Sequence, residues 1–486
     1  MLRLFVLCMM IIIAAVSAQA QPAAVKWSTL GVVADGKSDN AQALNALPAN
    51  ASIIGDCPAG QPIRIAGQWL LKSNLTIHVQ PDCTMACDWL GNRGAGCITQ
   101  QRIREPLTNV TIDGLSLTNP NPTFLGKALR LWIDHLTFTN LTVRGFTGFA
   151  YVRGSDQEWS FNVAGSATAN SKGAGAASDG FRHLGNSPKV ATRTGRPANV
   201  WVHDSQVVSG DAGLQVAPAC QPNTAWHNLS ADDYLYENSR AVGTPGNMIL
   251  IGNGAQNIGL SCSNSITNIK MRNISGSTAT TAIRIQNGFN STGQLSNISI
   301  SNLTADLTSK NDNEEQAAIM IRGYDDSLIA HVTLEGITIR HTFGRCLDVS
   351  AAPATDVMLS GIACDAPRVG NLSNAVIRGT SGTKLHNSII ANSIGGAVEI
   401  GPPPNPSNAL LGRIKGGDFT VTSPSITNNK FPNASHSGAG IVLRNVNRAT
   451  VTDNDVSAIA DQTKIVCSLG RGNNVARNAG APDCDP

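Results

Sequence analysis

The sequence predicts an all-β chain wound as a single right-handed parallel β-helix, with a short helix capping its N-terminal end. The first observation is a recurring phrase in which Asn, His or Asp precedes alternating apolar residues. It reads Asn74-Leu-Thr-Ile77, Asn109-Val-Thr-Ile112, His135-Leu-Thr-Phe138 and Asn199-Val-Trp-Val202. It returns at Asn268-Ile-Lys-Met271, Asn297-Ile-Ser-Ile300, His331-Val-Thr-Leu334 and Asp356-Val-Met-Leu359. The period within each phrase is two, which is the period of a strand. The phrases recur at roughly 25 to 35 residues, so each unit must stack on its neighbours to bury its apolar face. The third observation is compositional: of 486 residues only 14% are charged and 5% aromatic, while 47 are Gly. Aliphatic interior ladders and small polar turns have that composition.

Residues 1–20 read as a secretory leader. Arg3 supplies the charged start, Leu4 to Val16 the apolar stretch, and Ala18-Gln19-Ala20 the cleavage site. Residues 21–73 are expected to hold the N-terminal cap and the first coils. Within them Ser38 or Asp39 can cap a short helix whose Ala43, Leu44 and Leu47 share one face. Such a helix covers the strand edges that an open solenoid end exposes. Residues 74–460 are assigned to the β-helix proper. The stretch from Gly154 to Pro197 departs from the repeat and carries a basic loop with Lys189, Arg193 and Arg196. Residues 217–247 form a second excursion, in which Asp232-Asp233 with Tyr234 and Tyr236 is either a binding loop or a polar turn with two packing aromatics. Residues 401–408 form a Pro-rich surface loop.

Residues 461–486 read as a tail pinned by a disulfide. Of eleven cysteines, Cys8 lies in the leader and ten remain, an even number that suits disulfides in an exported chain. Cys346 with Cys364, Cys467 with Cys484, and Cys220 with Cys262 are the expected pairs. Pairing among Cys57, Cys83, Cys87 and Cys97 stays open. Cys83-x-x-x-Cys87 has no His pair at zinc-site spacing. Asn-x-Ser/Thr triplets at Asn74, Asn109, Asn140, Asn273, Asn302 and Asn371 are glycan acceptors or, more simply, Asn at left-handed bends followed by a β-forming hydroxyl residue.

The formal net charge of +3 and the lack of a basic run or aromatic platform argue against nucleic acid. No segment after the leader has eighteen consecutive apolar residues, so no membrane partner is expected once it is removed. A secreted or periplasmic monomer without a cofactor is the expectation, with a polysaccharide lying along its face.

The residues that could carry chemistry fall at turns or strand starts of successive coils. They occur in Ala177-Ser178-Asp179-Gly180-Phe181, Gly210-Asp211-Ala212, Gly246-Asn247-Met248 and Arg284-Ile285-Gln286. Coils stack about 4.8 Å apart, so Asp179, Asp211, Asn247 and Arg284 are expected on one face. Two carboxylates on a cleft are the minimum equipment for glycosidic cleavage, one giving a proton to the leaving oxygen and the other acting on water or sugar. A neighbouring guanidinium can hold a sugar oxygen and tune both acids. Arg182 and His183 follow the first Asp and join Arg284, Gln286 and Asn247 as expected substrate contacts. His203 reads as outward-facing and incidental.

These four segments, in this order, resemble glycoside hydrolase family 28, the polygalacturonases and their relatives. Gly31 to Asn40 also looks like the opening that those proteins share with other pectate-lyase-like β-helices. The resemblance implies an inverting hydrolase, with Asp211 as general acid, Asp179 as one of the base-side carboxylates and Arg284 as a substrate-binding residue. Three positions depart from the family pattern: Ala212 replaces a second Asp, Asn247 a His and Gln286 a Lys. An Asn cannot relay a proton and a Gln cannot pair with a uronate as an ammonium does. Three readings follow: a hydrolase of pectin-like or other acidic polysaccharide, a lyase or epimerase on the same fold, and a non-catalytic β-helix that binds or processes an exported polysaccharide.

Overall fold

The computed structural model describes residues 24–57, 61–88, 95–101, 105–121, 126–164, 179–187, 190–218, 229–243, 246–252, 264–286, 293–308, 317–323, 328–342, 344–365, 375–386, 388–391, 398–401, 421–432, 440–459, 464–468 and 470–480. The leader, the 402–420 stretch, Ala177, Ser178, Lys189, Cys220, Cys262, Asn371 and Cys484 lie outside these residues.

The chain is an all-β parallel β-helix. Strand pairings run unbroken from Val25–Lys26, against 53–54, to Asn474–Ala476, against Thr450–Thr452. Three strand faces repeat around the rod. The first carries 127–132, Gly148–Arg153, Phe181–His183, Leu214–Val216, Asn247–Gly252, Thr281–Gln286, Ala317–Arg322 and 345–350, each in register with the next. The second carries 136–139, 157–159, Val200–His203 and 234–237. The third carries 141–144, 161–163, Gln206–Ser209 and 240–243.

The corners between faces explain the recurring phrase. Asn50, Asn74, Asn109, His135, Asp156, Asp233, Asn268, Asn297, His331 and Asp356 occupy one register position on successive coils, each with φ between 53° and 61°. Asn140, Asp204, Asn238, Asn273 and Asn302 form a second such corner, with φ between 46° and 54°. Asn, Asp and His tolerate this left-handed region better than most residues. The amides also ladder from coil to coil. Asn109 donates to Asn74 at 2.9 Å, Asn273 to Asn238 at 3.0 Å and Asn297 to Asn268 at 3.2 Å. Asn199 departs from the pattern: its backbone is not left-handed, and its side-chain Oδ1 accepts the Asp156 amide.

Between the corners, alternation sends every second side chain inward. One interior ladder runs Ile77, Ile112, Phe138, Trp159, Val202, Tyr236, Met271, Ile300, Leu334 and Leu359, none more than 1% exposed. Each such side chain contributes about 1.5–3 kcal/mol on burial. The expected aliphatic interior turns aromatic where the acidic residues sit. There Phe161 stacks on Phe181 at 5.2 Å between centroids, and Trp159 meets Phe181 edge-on at 5.3 Å. In the C-terminal coils a fully buried amide ladder, Asn478 to Asn454 to Asn429, accepts at each step from the coil before it.

The capping helix spans Ala41–Ala46 and buries Ala41 and Leu44, with Leu47 just beyond it. Its start is not built as expected. Asn40 occupies the cap position, Asp39 accepts the Ala41 amide, and the Ser38 hydroxyl bonds Asp35 instead. Asn40 is 2% exposed, and its side-chain amide ties the helix start to Val33, Ser38 and Arg64 carbonyls.

Three disulfides join Cys57 to Cys83, Cys87 to Cys97 and Cys346 to Cys364. Cys83 and Cys87 thus belong to different bridges rather than to half of a metal site. Cys467 is disulfide-bonded as well. Among the described residues no helix is long and apolar enough to cross a membrane.

The corner geometry is testable at Asn297. Asn297→Gly and Asn297→Ala lose the same side-chain bonds but differ in tolerance of φ 55°. The Ala variant is expected to be less stable than the Gly variant by about 1 kcal/mol. Denaturant melts giving equal midpoints would show that the corner backbone carries no strain.

Candidate functional site

The first face presents its outward residues in straight columns, because the register holds without a slip. Arg182, Gln215, Leu250 and Arg284 occupy one column. Asp179 lies two residues before Phe181, where its carbonyl accepts the Phe149 amide. The Gly180 amide bonds Ala212 and the Gly213 amide bonds Asn247, so Asp179, Ala212 and Asn247 stand side by side on adjacent rungs. Asp211 is therefore one residue from the position opposite Asp179. The strand-start residues expected to cluster do so.

Asp179 is 3% exposed and held by three donors. The Tyr151 hydroxyl donates a short bond to Oδ2, Gln215 Nε2 donates to Oδ1 at 2.9 Å, and Arg182 Nη1 reaches Oδ2 at 3.5 Å. Gln215 also donates to the Ala212 carbonyl at 3.1 Å, linking the two rungs. Asp211 differs in every respect. It is partly exposed, and burial followed by the nearby Asp179 charge pushes its carboxyl up to about 6 against the pull of Arg182, Arg284 and Lys127. Gly246, on the next rung, leaves room for it: a Cβ there would stand 2.3 Å from Asp211 Oδ1 and 2.5 Å from its carbonyl carbon. Thr280 Oγ1 bonds the Gly246 carbonyl at 3.0 Å and holds that strand start in place.

Arg284 and Gln286 project from the same strand face, and Arg284 Nε donates to Gln286 Oε1 at 2.6 Å. Gln286 thus orients the guanidinium beside Asp211. Asn247 is 9% exposed at its rung position. His183 is a correction. It shares the inward parity of Phe181, is fully buried, and is driven down to about 3 by burial and by the Arg153 charge. Its Nδ1 accepts from the Gly185 amide and the Tyr234 hydroxyl, and its Nε2 faces Gln157 Oε1. It is a neutral core residue and cannot touch a substrate.

The basic loop also lies elsewhere. Arg193 and Arg196 pair with buried Asp156 and reach the Leu136 carbonyl on the second face, so they do not replace charge at the acid pair. Tyr234 and Tyr236 are fully buried and stacked at 6.3 Å in the strand Ala231–Gly243, which pairs in register with its neighbours. Asp232-Asp233 is therefore a polar corner beside packed aromatics, and 231–243 belongs to the coils rather than to an excursion. His203 stacks on Trp201 at 4.0 Å and bonds Asp204, also on the second face.

Three residues at the site escaped sequence reasoning: Tyr151, Lys127 and Gln215, whose amide donates to Asp179. Tyr151 stands opposite Arg182 in the rung before it, and Lys127 Nζ lies 3.6 Å over the Tyr151 ring. Burial and the Asp179 charge raise the Tyr151 phenol well above its ordinary value, so it stays a hydrogen-bond donor. Its only signal is strand position: Gly148-Phe-Ala-Tyr151 is in phase with Gly180-Phe-Arg182 once inward Ala150 and Phe181 are aligned.

No protein-family model matches the sequence, and neither does any curated protein. Among solved structures the chain is similar to bacteriophage phi29 gene product 12 in its pre-mature form, at 14% identity and a TM-score of 0.49, over 97% of this chain and 59% of that one. It is similar to the A-module of an Azotobacter vinelandii mannuronan C-5 epimerase, at 13% identity and a TM-score of 0.42, over 93% and 100%. It is also similar to a Yersinia enterocolitica family 28 exopolygalacturonase, at 11% identity and a TM-score of 0.39, over 88% and 79%. At these values the likeness carries no argument about activity, and the fold rests on the chain's own register.

The environment of Asp211 has a consequence for stability. Its folded value near 6 exceeds the ordinary 3.8, so between those pH values the folded chain binds more protons than the unfolded one. Stability falls as pH rises through that window, and the whole cost, at most about 3 kcal/mol, is present above it. Asp211→Asn is expected to raise unfolding free energy by about 1–3 kcal/mol at pH 8, with most of the gain gone below about pH 4. A gain of the same size at both pH values would contradict the shifted carboxyl.

Proposed function

We propose that this protein is a polysaccharide-active glycoside hydrolase, with Asp211 as the group that protonates the leaving oxygen. The observation that carries this reading is the Asp211 carboxyl, partly exposed on an outward column and pushed up to about 6 beside a second carboxylate and two guanidiniums. A general acid must hold its proton near the working pH and release it in the transition state, and such a value suits both demands. The order of the four motifs that resemble family 28 supports the same assignment.

Asp179 takes the base side. Tyr151, Gln215 and Arg182 fix its oxygens, which favours a positioned carboxylate that directs water over a mobile nucleophile. Arg284, braced by Gln286, takes a sugar oxygen. The substrate is an acidic polysaccharide, because Lys127, Arg182 and Arg284 surround the two acids with positive charge. Tyr151 argues against the lyase reading: a phenol raised above its ordinary value is a poor base for removing a proton beside a carboxylate.

Hydrolysis is expected to yield new reducing ends without an unsaturated product. Asp211→Asn should lower kcat by about a hundredfold to ten-thousandfold. The alkaline limb of the wild-type kcat/KM profile should bend near about 6, activity falling as Asp211 loses its proton. Glycan products measured by mass, with full turnover in Asp211→Asn, would reject the reading. Binding of acidic glycans without cleavage by the wild type would favour the non-catalytic alternative.

A further inference from the structure

Further along the same face a second charged group is built into the columns that carry Arg284 and Gln286. In the Arg284 column the next residues are Met320, Asp348, Val376 and Glu399. In the Gln286 column they are Arg322, Ser350 and Arg378. The strand Ile441–Arg444 then continues from Val398–Ile400 and brings Arg444 to the end of that column. Arg322, Arg378 and Arg444 thus recur at every second rung, about 10 Å apart. Arg345 joins them at the start of the strand that holds Asp348.

The charges do not balance. Arg322 pairs with Asp348 at 2.5 Å, and Glu399 is shared between Arg378 and Arg444, each at 3.2 Å. Among the described residues, four guanidiniums therefore face two carboxylates. Arg345 is 8% exposed, its Nη1 is buried without a hydrogen bond, and the Arg378 Nε is orphaned in the same way. Burial and the neighbouring Arg378 charge hold Arg345 below its ordinary value. Buried N–H groups without acceptors are costly, more so when charged, so an arrangement of this kind is stabilised when an acceptor arrives from outside. Planar guanidiniums match carboxylate and sulfate oxygens in pairs. Side-chain exposure rises from 6% at Arg322 to 30% at Arg444, which gives the cluster an open end.

We propose that Arg345, Arg378 and Arg444 form an oxyanion-binding site, filled by the carboxylate or sulfate group of a glycan lying along this face. The site begins four rungs, about 19 Å, beyond the Asp211 rung, so one extended polymer can reach both. As a glycan site it deepens the reading of an acidic polysaccharide, but its chemistry does not depend on cleavage.

The test is calorimetric titration at low ionic strength with a uronic-acid oligosaccharide, a neutral oligosaccharide of equal length and inorganic sulfate. It uses wild type, Asp211→Asn, Arg345→Gln, Arg378→Gln and the more exposed Arg444→Gln. The uronide should bind Asp211→Asn, which removes hydrolysis from the titration, and the neutral sugar should bind at least tenfold more weakly. Each arginine variant should lose about tenfold or more in affinity, and added salt should weaken binding. Uronide or sulfate should also raise the melting temperature of wild type more than that of Arg345→Gln. Sulfate binding without uronide binding would keep the oxyanion site and overturn the glycan as its source. Unchanged affinity in all three arginine variants would overturn the site itself. Binding that survives in Asp211→Asn tests this site whatever becomes of hydrolysis.

Discussion

The molecule depends on one backbone requirement, met at the corners of its coils: a residue held near φ 55°. For most residues that conformation costs about 1–2 kcal/mol, while Asn, Asp, His and Gly adopt it more readily. At the first corner equivalent positions on successive coils stay in register, while at the second Asn140 and Asp204 add one residue relative to the 159–161 turn before pairing resumes on the third face. With a side-chain period of two, a slip of one residue would send Ile112, Phe138 and Trp159 outward and the columns of Arg182 and Arg284 inward. The interior ladder and the outward chemistry are thus consequences of the same corners. The amide chains between Asn109 and Asn74 and between Asn273 and Asn238 add bonds along the rod axis to those of the backbone.

This also explains which parts could be read from the sequence. A corner residue is a local preference, visible in the chain as Asn-x-Thr or His-x-Thr, so the coils could be counted before any coordinates. Asp179, Asp211 and Arg284 were brought together by phase alone, because each stands at a fixed offset from an inward residue. His183 was misplaced although the same offset was available: it lies two residues after Phe181 and must share its inward direction. Tyr151 and Lys127 were hidden because loops of unequal length separate their strands, which blurs the phase. The docking of Arg193 and Arg196 on Asp156 is a tertiary choice with no local signal. The helix start was misjudged because Asn40 is recruited into the core, where its amide serves three carbonyls from different segments.

The two carboxylates show how one face can hold acids of opposite character. Asp179 is surrounded by donors that converge from three rungs, Tyr151, Arg182 and Gln215. Among the described residues Asp211 has no such cradle, and Gly246 on the next rung offers no side chain. Partial burial without compensating donors is what raises a carboxyl, and it does so at a cost to the fold. A chain selected for stability alone would place a neutral residue at 211. The aromatic rings of Phe149, Phe161 and Phe181 pack against one another beneath these rungs.

The positions at which the chain differs from the motifs it resembles act on charge in opposite senses: Ala in place of Asp at 212 removes a negative charge, and Gln in place of Lys at 286 removes a positive one. Ala212 stands beside Asp179 and Asn247, so an acid at 212 would put a third carboxylate on adjacent rungs and push the others up further. With Ala there, Lys127, Arg182 and Arg284 outnumber Asp179 and Asp211 in the field that Asp211 feels. The Lys missing at 286 is offset nearby: Gln286 spends its oxygen on Arg284, turning a flexible guanidinium into an oriented one. Beyond it in the same column come Arg322 and Arg378. The positive charge of this face therefore continues down the rod, from Lys127, Arg182 and Arg284 around the acid pair to guanidiniums set every second rung at Arg322, Arg378 and Arg444. A ligand that carries one acidic group meets little of it, whereas a long acidic polymer meets it at every second coil.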